Sequence, residues 1–110
     1  MRGPQRRYKN QFLHDCNLAF VRSRAQARFR NEQWDLTLEQ YIVFWRDEDR
    51  WRQRGRAADS LVLTRWDIEK PWNKKNCCII TRQQQLEISV RRKYNRDERD
   101  LYQGAITYGH

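Results

Sequence analysis

Ser60-Leu61-Val62-Leu63-Thr64-Arg65-Trp66-Asp67-Ile68-Glu69-Lys70-Pro71-Trp72-Asn73-Lys74-Lys75-Asn76-Cys77-Cys78-Ile79-Ile80-Thr81-Arg82-Gln83-Gln84-Gln85 decides the fold of this chain. Leu61-Val62-Leu63 reads as a short apolar strand and Cys77-Cys78-Ile79-Ile80 as a second, both too apolar to stand exposed. The polar stretch between them, closed by Pro71-Trp72 and Asn73, reads as a turn. Thr81-Arg82-Gln83-Gln84 then fits a capping box, in which the Thr81 hydroxyl and the Gln84 side chain satisfy backbone N–H groups at a helix start. That helix carries Leu86, Ile88 and Val90 and is predicted to run to about Tyr94.

Upstream, Phe12, Cys16, Ala19, Phe20, Ser23 and Ala27 recur at spacings of three and four, which predicts an amphipathic helix over residues 9–30. Its other face is rich in Arg. Arg24 and Arg28 lie one turn apart, flanked by Arg22 and Arg30, so this face either lies along a phosphate backbone or is simply solvated. Asn31 to Asp35 reads as a turn, and Thr37-Leu38-Glu39-Gln40 is another capping box. Behind it Leu38, Tyr41, Ile42 and Trp45 hold helical spacing to about residue 49, an aromatic stripe expected in the core. Trp51 and Arg54-Gly55-Arg56 open a loop in which Gly55 is expected to take a backbone conformation other residues avoid. The expected architecture is α+β: two N-terminal helices followed by a β-hairpin and a helix. Residues 1–8 are expected as a flexible basic arm, 9–94 as one domain, and 95–110 as a charged C-terminal tail, loose from Gly104 onward.

A chain of 110 residues makes one domain with a modest core. Lys and Arg number 23 against 14 acidic residues, a formal charge of +9. Arg far outnumbers Lys, and its planar fork suits phosphate and base edges, so the partner expected is a polyanion, with DNA first. No apolar run approaches the roughly 20 residues of a membrane span. The start of the chain is basic but leads into no apolar region of a secretory signal. Three cysteines, two of them adjacent, do not make a disulfide framework. Cys77 and Cys78 are expected on opposite faces of a strand, so they cannot share a zinc ion, and they read as reduced packing residues of a cytoplasmic protein.

Residues 60–86 resemble the HNH, or ββα-metal, nuclease fold, in the small variant abundant in bacteriophage genomes. Arg24-Ala25-Gln26-Ala27-Arg28-Phe29-Arg30-Asn31-Glu32-Gln33-Trp34-Asp35-Leu36 is similar to the basic-helix signature of those phage proteins. Trp51, Arg54, Gly55 and Arg56 match a motif that follows it, and the resemblance spans roughly residues 22–87. It implies a general base and a metal ligand at the end of the first strand, an Asn tying the connecting loop, and a last ligand on the helix. Those positions fall at Thr64 and Arg65, Asn76, and Gln85. Only Asn76 fits. A guanidinium stays protonated and cannot act as a base, and Thr and Gln are poor ligands for a divalent cation.

No catalytic residue, metal or cofactor is therefore expected, and the resemblance implies a frame that binds DNA without cutting it. Arg22, Arg24, Arg28, Arg30, Arg54, Arg56, Arg65, Lys74, Lys75 and Arg82 are the expected contacts. Arg65 would meet a phosphate, with Arg82 and its helix N-terminus reaching the same anion. The alternative for Arg65 is an ion pair with Asp67 or Glu69. Trp66 and Trp72 either stack on bases or close the hairpin as core. Two other functions stay open: a small phage inhibitor of a host protein, in the host cytoplasm, and an endonuclease with displaced residues, using Asp67 with His14.

Overall fold

The computed structural model describes residues 10–110, and its helices, antiparallel hairpin and final helix form the α+β architecture expected. The predicted arm at 1–8 lies outside the described residues. Helix α1 spans Gln11–Phe29 and starts where Asn10 Oδ1 accepts the Phe12 N–H at 2.8 Å. Phe12, Cys16, Ala19, Phe20 and Ala27 bury one face, while Ser23 stays half-buried. The helix ends at Asn31, whose φ of 62° is left-handed. A short polar side chain tolerates that conformation better than most. The Asn31 and Glu32 N–H groups donate back to the carbonyls of Arg28 and Ala27 and close the last turn.

The capping box of Thr37 and Gln40 is formed, yet the helix behind it is two helices rather than one. Helix α2 covers Leu38–Trp45 and helix α3 covers Glu48–Arg52. Arg46 turns the chain with φ 63°, and Asp47 Oδ1 accepts the Arg50 N–H at 2.9 Å. Asp offers the backbone a new N-cap, which competes with continuing the old helix. Arg50, buried, donates to the Phe44 carbonyl at 2.9 Å and so satisfies an acceptor at the break.

Strands β1, Leu61–Arg65, and β2, Cys77–Thr81, pair antiparallel with Leu63 opposite Ile79 and Arg65 opposite Cys77. Side chains alternate between two cores. Leu61, Leu63, Cys77 and Ile79 pack with α1 and α2, while Val62, Cys78 and Ile80 pack with Ile88. Ile88 belongs to helix α4, Arg82–Lys93, which starts at the predicted Thr81 and Gln84 capping box. Cys77 and Cys78 thus face opposite cores as expected. Both are free and buried, like Cys16, and burial pushes all three thiols up to about 12.

The C-terminal segment is not loose. Ile106 exchanges both backbone hydrogen bonds with Ile79, at 2.8 and 2.9 Å, and so covers the outer edge of β2. Tyr108 packs edge-on against Phe44, and Arg50 donates to the His110 carbonyl. Charge density in 95–100 suggested a tail; the apolar positions Leu101, Tyr102, Ile106 and Tyr108 override it. Among the described residues no helix is long and apolar enough to cross a membrane.

Candidate nucleic-acid interface

Two of the positions implied by the nuclease resemblance, Arg65 and Asn76, serve the hairpin. Arg65 is 7 % exposed. Its Nη1 donates to the carbonyls of Ile68 and Lys70 at 2.8 and 3.0 Å, and its Nη2 pairs with Glu32 Oε2 at 3.1 Å. The guanidinium also lies 4.9 Å from the Trp72 ring centre. A cation so engaged is not available to a phosphate, which corrects the expectation that Arg65 grips the backbone. Its ion-pair partner is neither Asp67 nor Glu69 but Glu32, from the turn after α1. Asp67 instead accepts the Glu69 N–H.

Thr64 follows Val62 on the strand face opposite Arg65, so the two do not form one site. Asn76 does tie the loop. Its Oδ1 accepts the Asp67 N–H at 3.1 Å and its Nδ2 donates to the carbonyls of Asp67, Pro71 and Lys70. Gln85 stands apart on α4, where its Oε1 accepts from Arg82 Nη1 at 2.7 Å. Trp72 packs against Trp34 and Trp66 against Tyr102, which makes both of them hairpin packing. Among the described residues no group of three His, Cys, Asp or Glu side chains is placed to hold a metal. His14 is half-buried on α1.

The start of α4 is not open to an anion, contrary to expectation. The Arg82 N–H donates to the Ser60 carbonyl at 2.7 Å, the Gln83 N–H to Ala58 at 2.9 Å, and the Gln84 N–H to Thr81 Oγ1. These are the donors that a helix N-terminus would offer an anion, and the chain's own loop occupies them. Only the Arg82 side chain remains.

What the fold does gather is a set of arginines from distant parts of the sequence. A cleft of about 540 Å³ opens between α1, the loop after α3, β1 and the start of α4, within the range of small-ligand sites. Arg30 enters from α1, Arg54 and Arg56 from the loop, and Arg82 from α4. The ion pairs among the described residues engage other arginines, namely Arg46, Arg52, Arg65, Arg91, Arg92 and Arg99. The one carboxylate lining the cleft, Glu32, is neutralised by Arg65 and also accepts the Trp72 indole N–H at 3.1 Å. Arg54 is held in place by stacking, 4.1 Å from the Trp51 ring centre, and Arg82 by its bond to Gln85. At Gly55, between Arg54 and Arg56, a Cβ would sit 3.0 Å from Ser60 Oγ, so the loop passes close to its own end.

The remaining expected contacts spread out. Arg22 and Arg30 flank a shallow apolar depression with Phe29, and Arg24 lies over the Phe20 ring at 5.1 Å. Arg28 is exposed, as are Lys74 and Lys75 on the hairpin loop. Tyr41 and Trp45, read from sequence as plain core, also line the cleft. Burial raises the Tyr41 hydroxyl pKa, while Arg54, Ser23 and Trp45 beside it lower it. Their spacing of four puts both on one face of α2, and each carries a polar tip on an aromatic body. That was the available signal. Comparison with protein-family models, with curated proteins and with solved structures finds no match.

Proposed function

We propose that this protein binds nucleic acid, DNA in the first instance, and that the cleft of Arg30, Arg54, Arg56 and Arg82 is the centre of the grip. The observation that carries the reading is four arginines lining one cleft, none of them in an ion pair among the described residues, beside a single carboxylate already paired with Arg65. Arginine delivers two parallel hydrogen bonds to a phosphate as well as its charge. The HNH-like frame is read as one that keeps this grip without cleavage. Supporting this, Thr64 and Arg65 diverge across β1 and the Asn76 amide is wholly engaged by the hairpin. Arg22, Arg28, Lys74 and Lys75 extend the positive surface beyond the cleft. A cytoplasmic location, that of the host cell for a phage-encoded protein, suits such a partner and three unpaired thiols.

Binding should weaken steeply with salt, because each neutralised phosphate releases counterions; the slope of log K against log salt is about −0.7 to −0.9 per contact. Fluorescence-anisotropy titration of labelled DNA at several salt concentrations measures this. Replacing all four cleft arginines by Gln should flatten the slope by about three units. Absence of binding at low salt would sink the reading. A host-protein partner remains the second reading, favoured by the apolar residues Leu18, Val21 and Phe29 on the outer face of α1, Phe29 being 89 % exposed. Co-purification with a stoichiometric protein after nuclease treatment would move the conclusion there.

A further inference from the structure

We infer that the cleft takes one phosphorylated nucleotide of a single strand, drawn in past the arginines, rather than the backbone of an intact duplex. This rests on the nucleic-acid reading and specifies the form of nucleic acid. The first ground is depth. The cleft's lining reaches Trp45, which is 1 % exposed, and Tyr41, which is 2 % exposed, so its floor lies in the core. Duplex phosphates sit on the outside of a cylinder far wider than a cleft of about 540 Å³, so they would touch only the rim. One unpaired nucleotide fits in the volume, and unpaired strands are typically held by a positive groove with aromatic walls.

The second ground is an unsatisfied group. Trp45 Nε1 is buried and makes no well-formed hydrogen bond among the described residues, the Tyr41 hydroxyl beside it receiving at most a weak one. An indole N–H can only donate, and a buried donor without an acceptor is costly. A ligand oxygen that displaces the side chains covering this atom, Arg54 over the Trp45 ring among them, would satisfy it. Ser23 and Gln26 on α1 and Gln85 on α4 add neutral polar groups that suit a sugar or base edge. The arginines stand above this floor, with Arg54 fixed over Trp51 and Trp45 and Arg82 fixed by Gln85. The floor is therefore built to accept hydrogen-bond acceptors, and the arginines above it to hold the attached phosphate.

Three of the tryptophans, Trp34, Trp45 and Trp72, line the cleft, so their emission reports on its occupancy. The test titrates the full chain, at one fixed salt concentration, with a 5′-phosphorylated single-stranded decamer, a blunt duplex of the same length, and adenosine 5′-monophosphate. The expected result is Trp quenching by the single strand and affinity about tenfold or more above the duplex, the size of one or more charged hydrogen bonds. Trp45→Phe keeps an aromatic ring but removes the N–H together with the second ring, and should lower single-strand affinity about tenfold with less change for the duplex. Because Trp45 is core, Arg54→Gln serves as a second variant with the same expected preference loss, and thermal melts confirm that each is folded. Equal binding of strand and duplex without quenching would overturn this inference and leave the nucleic-acid reading standing. Adenosine 5′-monophosphate binding as tightly as the strand, or no binding of either polymer, would overturn both.

Discussion

Arg65 and Arg54 stand at the ends of β1 and of the preceding loop, and the fold uses them in opposite ways. Arg65 is enclosed, with its donors directed to Ile68, Lys70 and Glu32 and its face against Trp72. Arg54 is exposed beside the cleft and stacked on Trp51, with the charged edge left to solvent or ligand. The same side chain is a structural brace in one place and, under the proposed function, a recognition group in the other. What separates the two is whether carbonyls and a carboxylate already occupy the guanidinium. Net charge counts both alike, so +9 overstates the cation available to a partner.

Removing the brace should produce the largest stability loss. Arg65→Ala leaves Glu32 unpaired and the carbonyls of Ile68 and Lys70 without their donor, and should cost about 3–5 kcal/mol. Urea titration would show it as a lowered midpoint with little change in slope. A double Arg65→Met and Glu32→Gln variant should recover much of the loss, since an apolar replacement of a buried pair is often tolerated. If Arg65→Ala were instead fully stable and defective in nucleic-acid binding, the division between brace and recognition group would collapse.

Alkaline titration separates the regions differently. The three buried thiols hold their protons to about 12 in the folded state, whereas a solvated thiol loses its proton near 9.0. Above pH 9 the unfolded chain therefore binds fewer protons than the folded one, and stability falls as pH rises; below pH 9 this contribution is fully present. The loss should approach about 1.4 kcal/mol per pH unit for each thiol. Urea midpoints between pH 8 and 10.5 measure it, and the thiols should resist a thiol reagent until the chain unfolds. Arginines keep their charge over that range, so nucleic-acid binding per folded molecule should persist. Readily labelled native thiols would show that the two cores are more open than their packing implies.

Local signals carried much of the fold. Both capping boxes, both strands and the alternation of Cys77 and Cys78 were readable because each depends on residues within a few positions. The break at Arg46 was hidden because the aromatic period ran through it and only Asp47, as a competing cap, marked the stop. The packed end of the chain was hidden by its charge. In the site, Arg30, Arg54, Arg56 and Arg82 were named from sequence, but their convergence depends on how α1, the loop and α4 pack around β1. The role of Glu32 was not readable either, since its partner lies more than thirty residues away and nearer acids, Asp67 and Glu69, competed for the assignment. Asn76 was singled out by resemblance, and what the structure shows of it is four bonds that tie the loop.

The smallest stability effect is expected where the comparison is sharpest. Arg82 holds two kinds of donor: its backbone N–H caps the Ser60 carbonyl, and its guanidinium meets only Gln85 among the described residues. Arg82→Gln leaves the backbone bond in place and removes only the cation. Stability should therefore change by no more than about 1 kcal/mol, the size of the one half-buried bond to Gln85 that is lost. Affinity should nevertheless fall, with the salt slope flattened by about 0.7 to 0.9, the share of one phosphate contact. A large stability loss would place Arg82 with Arg65 as a brace. An unchanged salt slope would remove it from the interface and leave the grip to Arg30, Arg54 and Arg56.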